Sequence, residues 1–333
     1  MLTNAAEWGD FMRRRSAAAL TALAALTATL ATGCGSDDEP DPLRNQQWAL
    51  NALKLPDAWS TAEGDDTVIA VVDTGVDLDH PDLKGRLVDG YDFVDGDDEP
   101  RDLNGHGTHV AGIAAAHTDN GIGIAGGAGG AKIMPVRVLG ADGSGSDANI
   151  TKGIVWAAQH GADVINLSLG ESGLMARLLK GGVLNDAISA ANSKGAVVVA
   201  AAGNDSTLLQ PYELETPVLV VNAADANGQP ASFTNFGARN AVAAPGVDIL
   251  STLPTYTSKE TLRNTSGYGK LSGTSMASPY VSAVAALLHQ EGLSPAEIMA
   301  AIRDTARNPT QNPKLGLGNV DAAAAVKAAA AQN

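Results

Sequence analysis

Two segments of this chain are apolar or β-branched at every position for six residues: Thr67–Val72 (TVIAVV) and Ala196–Ala201 (AVVVAA). A strand with one wet face alternates apolar and polar side chains. A strand without that alternation is buried on both faces, which requires a parallel sheet with helices above and below. The rest of the chain supplies those layers. Ala131–Val138, Ala162–Ser168 and Val218–Val221 read as further strands. Thr108–His117, Asp147–His160 and Val183–Lys194 read as helices, the second with Ile150, Ile154 and Val155 on one side. This β-α-β-α order predicts an α/β fold with a mostly parallel central sheet covered on both faces. Ser275–Glu291 reads as a strongly apolar helix. Ser294-Pro295-Ala296-Glu297 then has the form of a capping box with Pro at the first helical position, opening another helix. No internal repeat and no second domain is visible.

The net charge is −15, from 22 basic and 37 acidic residues. That excludes the basic footprint of a nucleic-acid binder and leaves divalent cations as partners. The acidity is local: residues 34–105 carry 19 acidic and 5 basic side chains. The single cysteine excludes a disulfide within the chain and a cysteine-based zinc site. It follows Arg13-Arg14-Arg15, the uncharged segment Ser16–Thr32 and the small residues Ala31-Thr32-Gly33. A basic region, a short apolar core and a small-residue processing site form a secretory signal, too short for a comfortable membrane span. The arrangement resembles a bacterial lipoprotein signal, which implies cleavage before Cys34 and a lipid anchor on it. Plain secretion is the alternative.

Three short segments carry chemistry. Asp73-Thr74-Gly75 directly follows the first apolar strand, and ligand and catalytic groups gather at strand C-termini in parallel sheets. A lone D-T-G also occurs in aspartic proteases, but those use two such aspartates. Asn104-Gly105-His106-Gly107-Thr108-His109 places a histidine before a small-residue helix. Gly273-Thr274-Ser275-Met276-Ala277-Ser278-Pro279 puts Ser275 at the start of an apolar helix, where free N–H groups favour developing negative charge. A Gly-x-Ser alone also suggests the nucleophile elbow of α/β-hydrolases. Those enzymes have the order Ser, acid, His; here it is Asp, His, Ser.

The three motifs in this order resemble the subtilisin-like serine proteases, close to the thermitase-type branch, over roughly residues 41–326. The resemblance implies a three-layer subtilisin-like fold over residues 45–327. Before it would lie a signal peptide at 1–33 and an acidic tether at 34–44, and after it a frayed tail at 328–333. It implies a serine endopeptidase acting on extended polypeptides: Ser275 as nucleophile, His106 as general base and acid, and Asp73 orienting the imidazole. Asn204, in Ala201-Ala202-Gly203-Asn204, would form the oxyanion hole with the Ser275 N–H. Gly143, Ser144 and Gly145 on one side and Ser168, Leu169 and Gly170 on the other would sandwich the substrate as an added strand. Ala201, Ala202 and Gly203 would line the main specificity pocket. The region Gln210–Glu215 is acidic where small and aromatic residues are expected.

The resemblance also implies structural calcium and no organic cofactor. Asp41, Asp82, Asn120 and the carbonyls of His117, Ile122 and Ile124 match the family's strong site. Asp92, Asp97, Glu99 and Asp102 resemble a second calcium loop. The chain is expected to act as a monomer, exported to the cell envelope or secreted. Departures are Tyr280 where a histidine is usual, Ala283 for a common glycine, and no room between Cys34 and Asp73 for a folding prodomain. The competing reading is a non-catalytic surface lipoprotein that keeps the fold as a binding module.

Overall fold

The computed structural model describes residues 39–169, 182–208, 216–238, 240–256 and 266–331. Its centre is a seven-stranded, all-parallel sheet in the order β2-β3-β1-β4-β5-β6-β7. The strands are β1 (Val68–Asp73), β2 (Tyr91–Asp92), β3 (Lys132–Arg137), β4 (Val164–Leu167), β5 (Val197–Ala201), β6 (Val218–Ala224) and β7 (Val242–Pro245). The uninterrupted apolar runs are the central strands. In β1, Ile69 and Val71 enter one core while Ala70 and Val72 enter the other. Val197 and Val199 of β5 face the first core, and Val198 and Ala200 the second.

Helices α4 (Asp147–Gln159) and α5 (Val183–Ser193) cover one face. On the other lie α1 (Trp48–Ala52), α2 (Leu55–Trp59), α3 (His106–Ala115), α6 (Thr274–Gln290), α7 (Pro295–Thr305) and α8 (Ala322–Ala330). Every residue of α6 from Thr274 to Leu288 is buried, which accounts for its lack of a polar stripe. The expected capping box starts α7: Glu297 accepts from the Ser294 N–H at 2.9 Å. None of the helices among the described residues is long and apolar enough to cross a membrane.

Three features depart from the sequence reading. An antiparallel pair, β8 (Ile249–Thr252) with β9 (Tyr268–Leu271), packs on α3. The tail expected to fray at 328 is helical to Ala330, because Ala329 is fully buried and Asp321 caps the helix at the Ala324 N–H. The tether ends before Asp41, which is 4% exposed and joined to the 117–124 loop.

β1 lies between β3 and β4, with the chain leaving it toward one side and returning on the other. The crevice at the C-terminal ends of such strands is where ligands bind in open α/β sheets. Asp73 ends β1, Ser168 follows β4 and Ala201 ends β5, so the sheet delivers all three to one edge.

Candidate active site

His106 opens α3 after Gly105, whose φ of 114° turns the chain into the helix. Its Nδ1 donates to Asp73 Oδ1 at 2.8 Å, and the Thr74 N–H donates to the same oxygen at 2.7 Å. A carboxylate acceptor at Nδ1 fixes the tautomer and leaves Nε2 as the free base. The glycine of His106-Gly107 is required by close approach. A Cβ on Gly107 would lie 2.1 Å from Gly75 O and 3.2 Å from Asp73 Oδ1.

Beneath this pair sits Asp102, fully buried. Its Oδ1 accepts from Thr74 Oγ1, the Asn104 N–H and the Gly105 N–H. Its Oδ2 accepts from the Thr108 N–H and Thr108 Oγ1. Thr74 also accepts from the Gly107 N–H. Asp102 therefore ties the end of β1 to the start of α3, a role the sequence reading missed. The signal was present: an acid four residues before a histidine that begins a helix, with threonines nearby to donate. Burial opposes the His106 imidazolium, but the Asp73 charge and hydrogen bond, with Asp102 behind, outweigh it and raise the His106 pKa. His109 on the same helix is pushed down to about 3 by burial and by His106, and bonds the Ile249 and Gly269 carbonyls.

Ser275 is the second residue of α6. Pro279, four residues on, has no N–H for the Ser275 carbonyl. Ser168 Oγ supplies the missing donor at 2.9 Å, and Ser275 Oγ donates back to the Ser168 carbonyl at 3.1 Å. Ser168 is held in turn by Asn166, whose Oδ1 accepts from Ser278 and Ser282. The start of α6 is thus pinned to the end of β4.

Asn204 follows β5. Its Oδ1 accepts from the Thr274 N–H at 2.9 Å and Thr274 Oγ1 at 3.1 Å, which turns Nδ2 the other way. An ideal Cβ on Gly273 would lie 3.6 Å from Asn204 Nδ2 and 3.7 Å from Ser275 N. Both donors therefore border one small space, kept open by the glycine.

The segments expected to be substrate edges also fall beside the site. Asn104, two residues before His106, donates to the Ala141 carbonyl at 2.8 Å, which brings the Gly143–Gly145 loop alongside. That loop is closed by the Gly140 N–H bonding Ser144 O at 2.8 Å. Ser168 and Leu169 follow β4, and Ala201–Gly203 run on from the end of β5. Gly170, the Gln210–Glu215 region and Cys34 lie outside the described residues.

The first calcium set is gathered in one place. Asp41 accepts from the Asp119 and Asn120 N–H groups at 2.9 and 3.0 Å. Asp82 accepts from Asn120 Nδ2 at 3.2 Å and the Ile124 N–H at 2.9 Å. The His117 N–H bonds the Asp82 carbonyl, so the 117–124 loop wraps both acids. Burial, with the Asp41 charge adding, pushes Asp82 up to about 7. The two carboxylates held by this loop are hard-oxygen donors of the kind calcium takes, while Asn120 turns its Nδ2 to Asp82 and its Oδ1 to the Ile122 N–H.

The second set is not gathered. Asp92 is 1% exposed, and its carboxylate pairs with the Arg137 guanidinium and accepts from the Val94 and Asp95 N–H groups. Arg137 also pairs with Asp95. Asp97 accepts from the Glu99 N–H, and Asp102 is saturated below the histidine. Among the described residues no three acidic, histidine or cysteine side chains converge as a metal site. Arg137 provides the positive charge that the acidic loop needs. Tyr280, at the position where a histidine was expected, is 1% exposed and packed in the core of α6.

The subtilase family matches residues 64–321 of this chain. Thermitase of Thermoactinomyces vulgaris is 46% identical over 263 residues, 79% of this chain and 88% of thermitase. A thermophilic serine proteinase of Bacillus sp. (strain AK1) is 48% identical over 252 residues, 75% of this chain and 59% of that protein. Among solved structures, a protease of Pseudoalteromonas arctica PAMC 21717 superposes with a TM-score of 0.76 at 37% identity, covering 88% of this chain and 99% of that one.

Proposed function

The chain belongs to the subtilase family and is a subtilisin-like serine endopeptidase, and we propose that Asp73, His106 and Ser275 carry its reaction. Ser275 Oγ attacks the scissile carbonyl while His106 Nε2 takes its proton. Asp73 holds the imidazole and stabilises the imidazolium. The carbonyl oxygen becomes an anion between Asn204 Nδ2 and the Ser275 N–H. His106 then gives its proton to the leaving amine, and water repeats the sequence on the acyl-enzyme. An extended substrate lies between the edges at 143–145 and 168–169, held by backbone hydrogen bonds that tolerate many sequences.

The observation that carries this reading is that the 2.8 Å Asp73–His106 bond at the end of β1 and Ser275, bonded to Ser168 after β4, lie at one edge of the sheet. A binding module has no use for both. Phenylmethylsulfonyl fluoride is expected to abolish casein cleavage and to leave one sulfonyl group per chain, on Ser275, as read by mass spectrometry of the peptides. No casein cleavage and no sulfonyl group on Ser275 would favour the binding module; cleavage retained with Ser275 unlabelled would remove Ser275 as the nucleophile.

Calcium between Asp41, Asp82, Asn120 and the 117–124 carbonyls would neutralise two facing carboxylates. A cation at a hundred times its Kd stabilises by about 2.7 kcal/mol, which for a domain of this size is about 4–5 °C in melting temperature. EGTA is expected to lower the melting temperature by that amount and added calcium to restore it. An unchanged melting curve would remove calcium from this account. The basic, apolar and small-residue order before Cys34 supports export with a lipid on that cysteine. Cys34→Ser should then move the protein from the membrane to the soluble fraction; retention on the membrane would count against the anchor.

A further inference from the structure

Asn235 lies on the bend between β6 and β7 and is 4% exposed. No part of the proposed reaction uses it. Its four polar contacts all reach the turn that presents Asn204. Nδ2 donates to the Ala202 carbonyl at 3.0 Å. Oδ1 accepts from the N–H groups of Asp205 and Thr207, both at 2.9 Å. The Asn235 N–H donates to the Gly203 carbonyl at 2.9 Å. The amide orientation is fixed by its partners, since two N–H groups meet the oxygen and one carbonyl meets the nitrogen. Gly203, with φ of 98°, makes the approach possible: a Cβ there would lie 2.4 Å from Asn235 Nδ2.

Asn204 thus sits between two clamps. Thr274 aims its side chain. Asn235 grips the backbone on both sides of it, at 202–203 and at 205–207. The Asn235 backbone is itself set by Thr234, whose Oγ1 donates to the Asn235 carbonyl and accepts from the Ala223 N–H of β6. The turn is also anchored elsewhere: the Ala202 N–H bonds Val221 O, the Gly203 N–H bonds Thr274 Oγ1, the Ser206 N–H and Oγ bond Phe233 O and Ser232 O, and Thr207 O accepts from the Phe236 N–H.

We propose that Asn235 is a positioning residue for the oxyanion hole, acting on catalysis through Asn204. This rests on the assignment of Asn204 above. A hydrogen-bond donor stabilises an oxyanion only at the right place, and a displacement of about 1 Å costs about 10²-fold in rate. The effect falls on kcat, because the oxyanion exists only after the substrate has bound.

The test is a double-mutant cycle on a chromogenic tetrapeptide anilide. Asn204→Ala should lower kcat about 10²–10³-fold with KM little changed. Asn235→Ala should lower kcat by about 10²-fold in the wild-type background and by about twofold or less when Asn204 is already alanine. Asn235→Ser, which keeps a small polar side chain, serves in the same cycle if the alanine variant does not fold. Losses that multiply in the double variant would overturn the proposal and leave the Asn204 assignment standing. Loss of fold in both Asn235 variants would also overturn it, since the residue would then act on the whole domain. An Asn204→Ala variant with unchanged kcat would overturn the oxyanion assignment and the proposal with it.

Discussion

Ser275→Ala is expected to lower kcat on casein or a peptide anilide by about a millionfold, the loss known for removing the nucleophile of a subtilisin. The reason is qualitative as well as large. Without Oγ there is no acyl-enzyme, and His106 has only water to deprotonate. What remains is the oxyanion space beside Gly273 and the substrate edges, which still favour the transition state over bulk water. The fold should be nearly untouched. Ser275 Oγ makes one hydrogen bond, to the Ser168 carbonyl, while the reciprocal bond from Ser168 Oγ ends on the Ser275 backbone and survives the substitution. Loss of one such bond costs about 1 kcal/mol. Thermal melting by circular dichroism should therefore shift by only a few degrees. Cleavage by the variant at the wild-type rate would remove Ser275 from the mechanism.

The layers of the fold were legible because they depend on local pattern. TVIAVV and AVVVAA admit only a strand buried on both faces, and the helix boundaries read from the sequence lie within a few residues of those observed. The Asp73, His106 and Ser275 segments were legible because small residues flank each reactive group. Their need for space is visible in the structure at Gly107 and Gly273. What was not legible depends on partners distant in sequence. Asp102 looked like a cation ligand of the acidic loop until the fold brought Thr74 and Thr108 to it. Asp92 looked like a cation ligand because nothing local indicated that Arg137, at the end of β3, would reach it. Asn235 has no motif of its own, and its function is written only in contacts to residues 202–207. The β8–β9 pair was missed because β9 is only half-buried and polar, so it carries no apolar run.

Asp73→Asn tests the electrostatic half of the triad, and its expected cost is about 10⁴-fold in kcat. Asp73 Oδ1 receives two donors, the Thr74 N–H and His106 Nδ1, while Oδ2 is buried without a hydrogen-bond partner among the described residues. An asparagine can keep its oxygen toward the two donors, which leaves an NH2 buried with no acceptor. Turned over, it presents that NH2 to the histidine, where Nδ1 must then accept and Nε2 carries the proton, so the base is lost. Both arrangements remove the charge that stabilises the imidazolium. The pH profile follows with a definite sign. His106 must be neutral to take the Ser275 proton, and its pKa is raised because Asp73, with Asp102, outweighs burial. Activity therefore falls as the pH drops through that raised value. His109, the other histidine near the imidazole, has been pushed down to about 3 by burial and by His106 and is neutral across this range. In the asparagine variant, burial is opposed by Asp102 alone, so the acid limb of kcat/KM moves to lower pH while the plateau falls. Profiles of wild type and variant on the same peptide anilide measure both effects. An acid limb that stays in place would assign it to a group other than His106, and an undiminished plateau would remove Asp73 from the reaction.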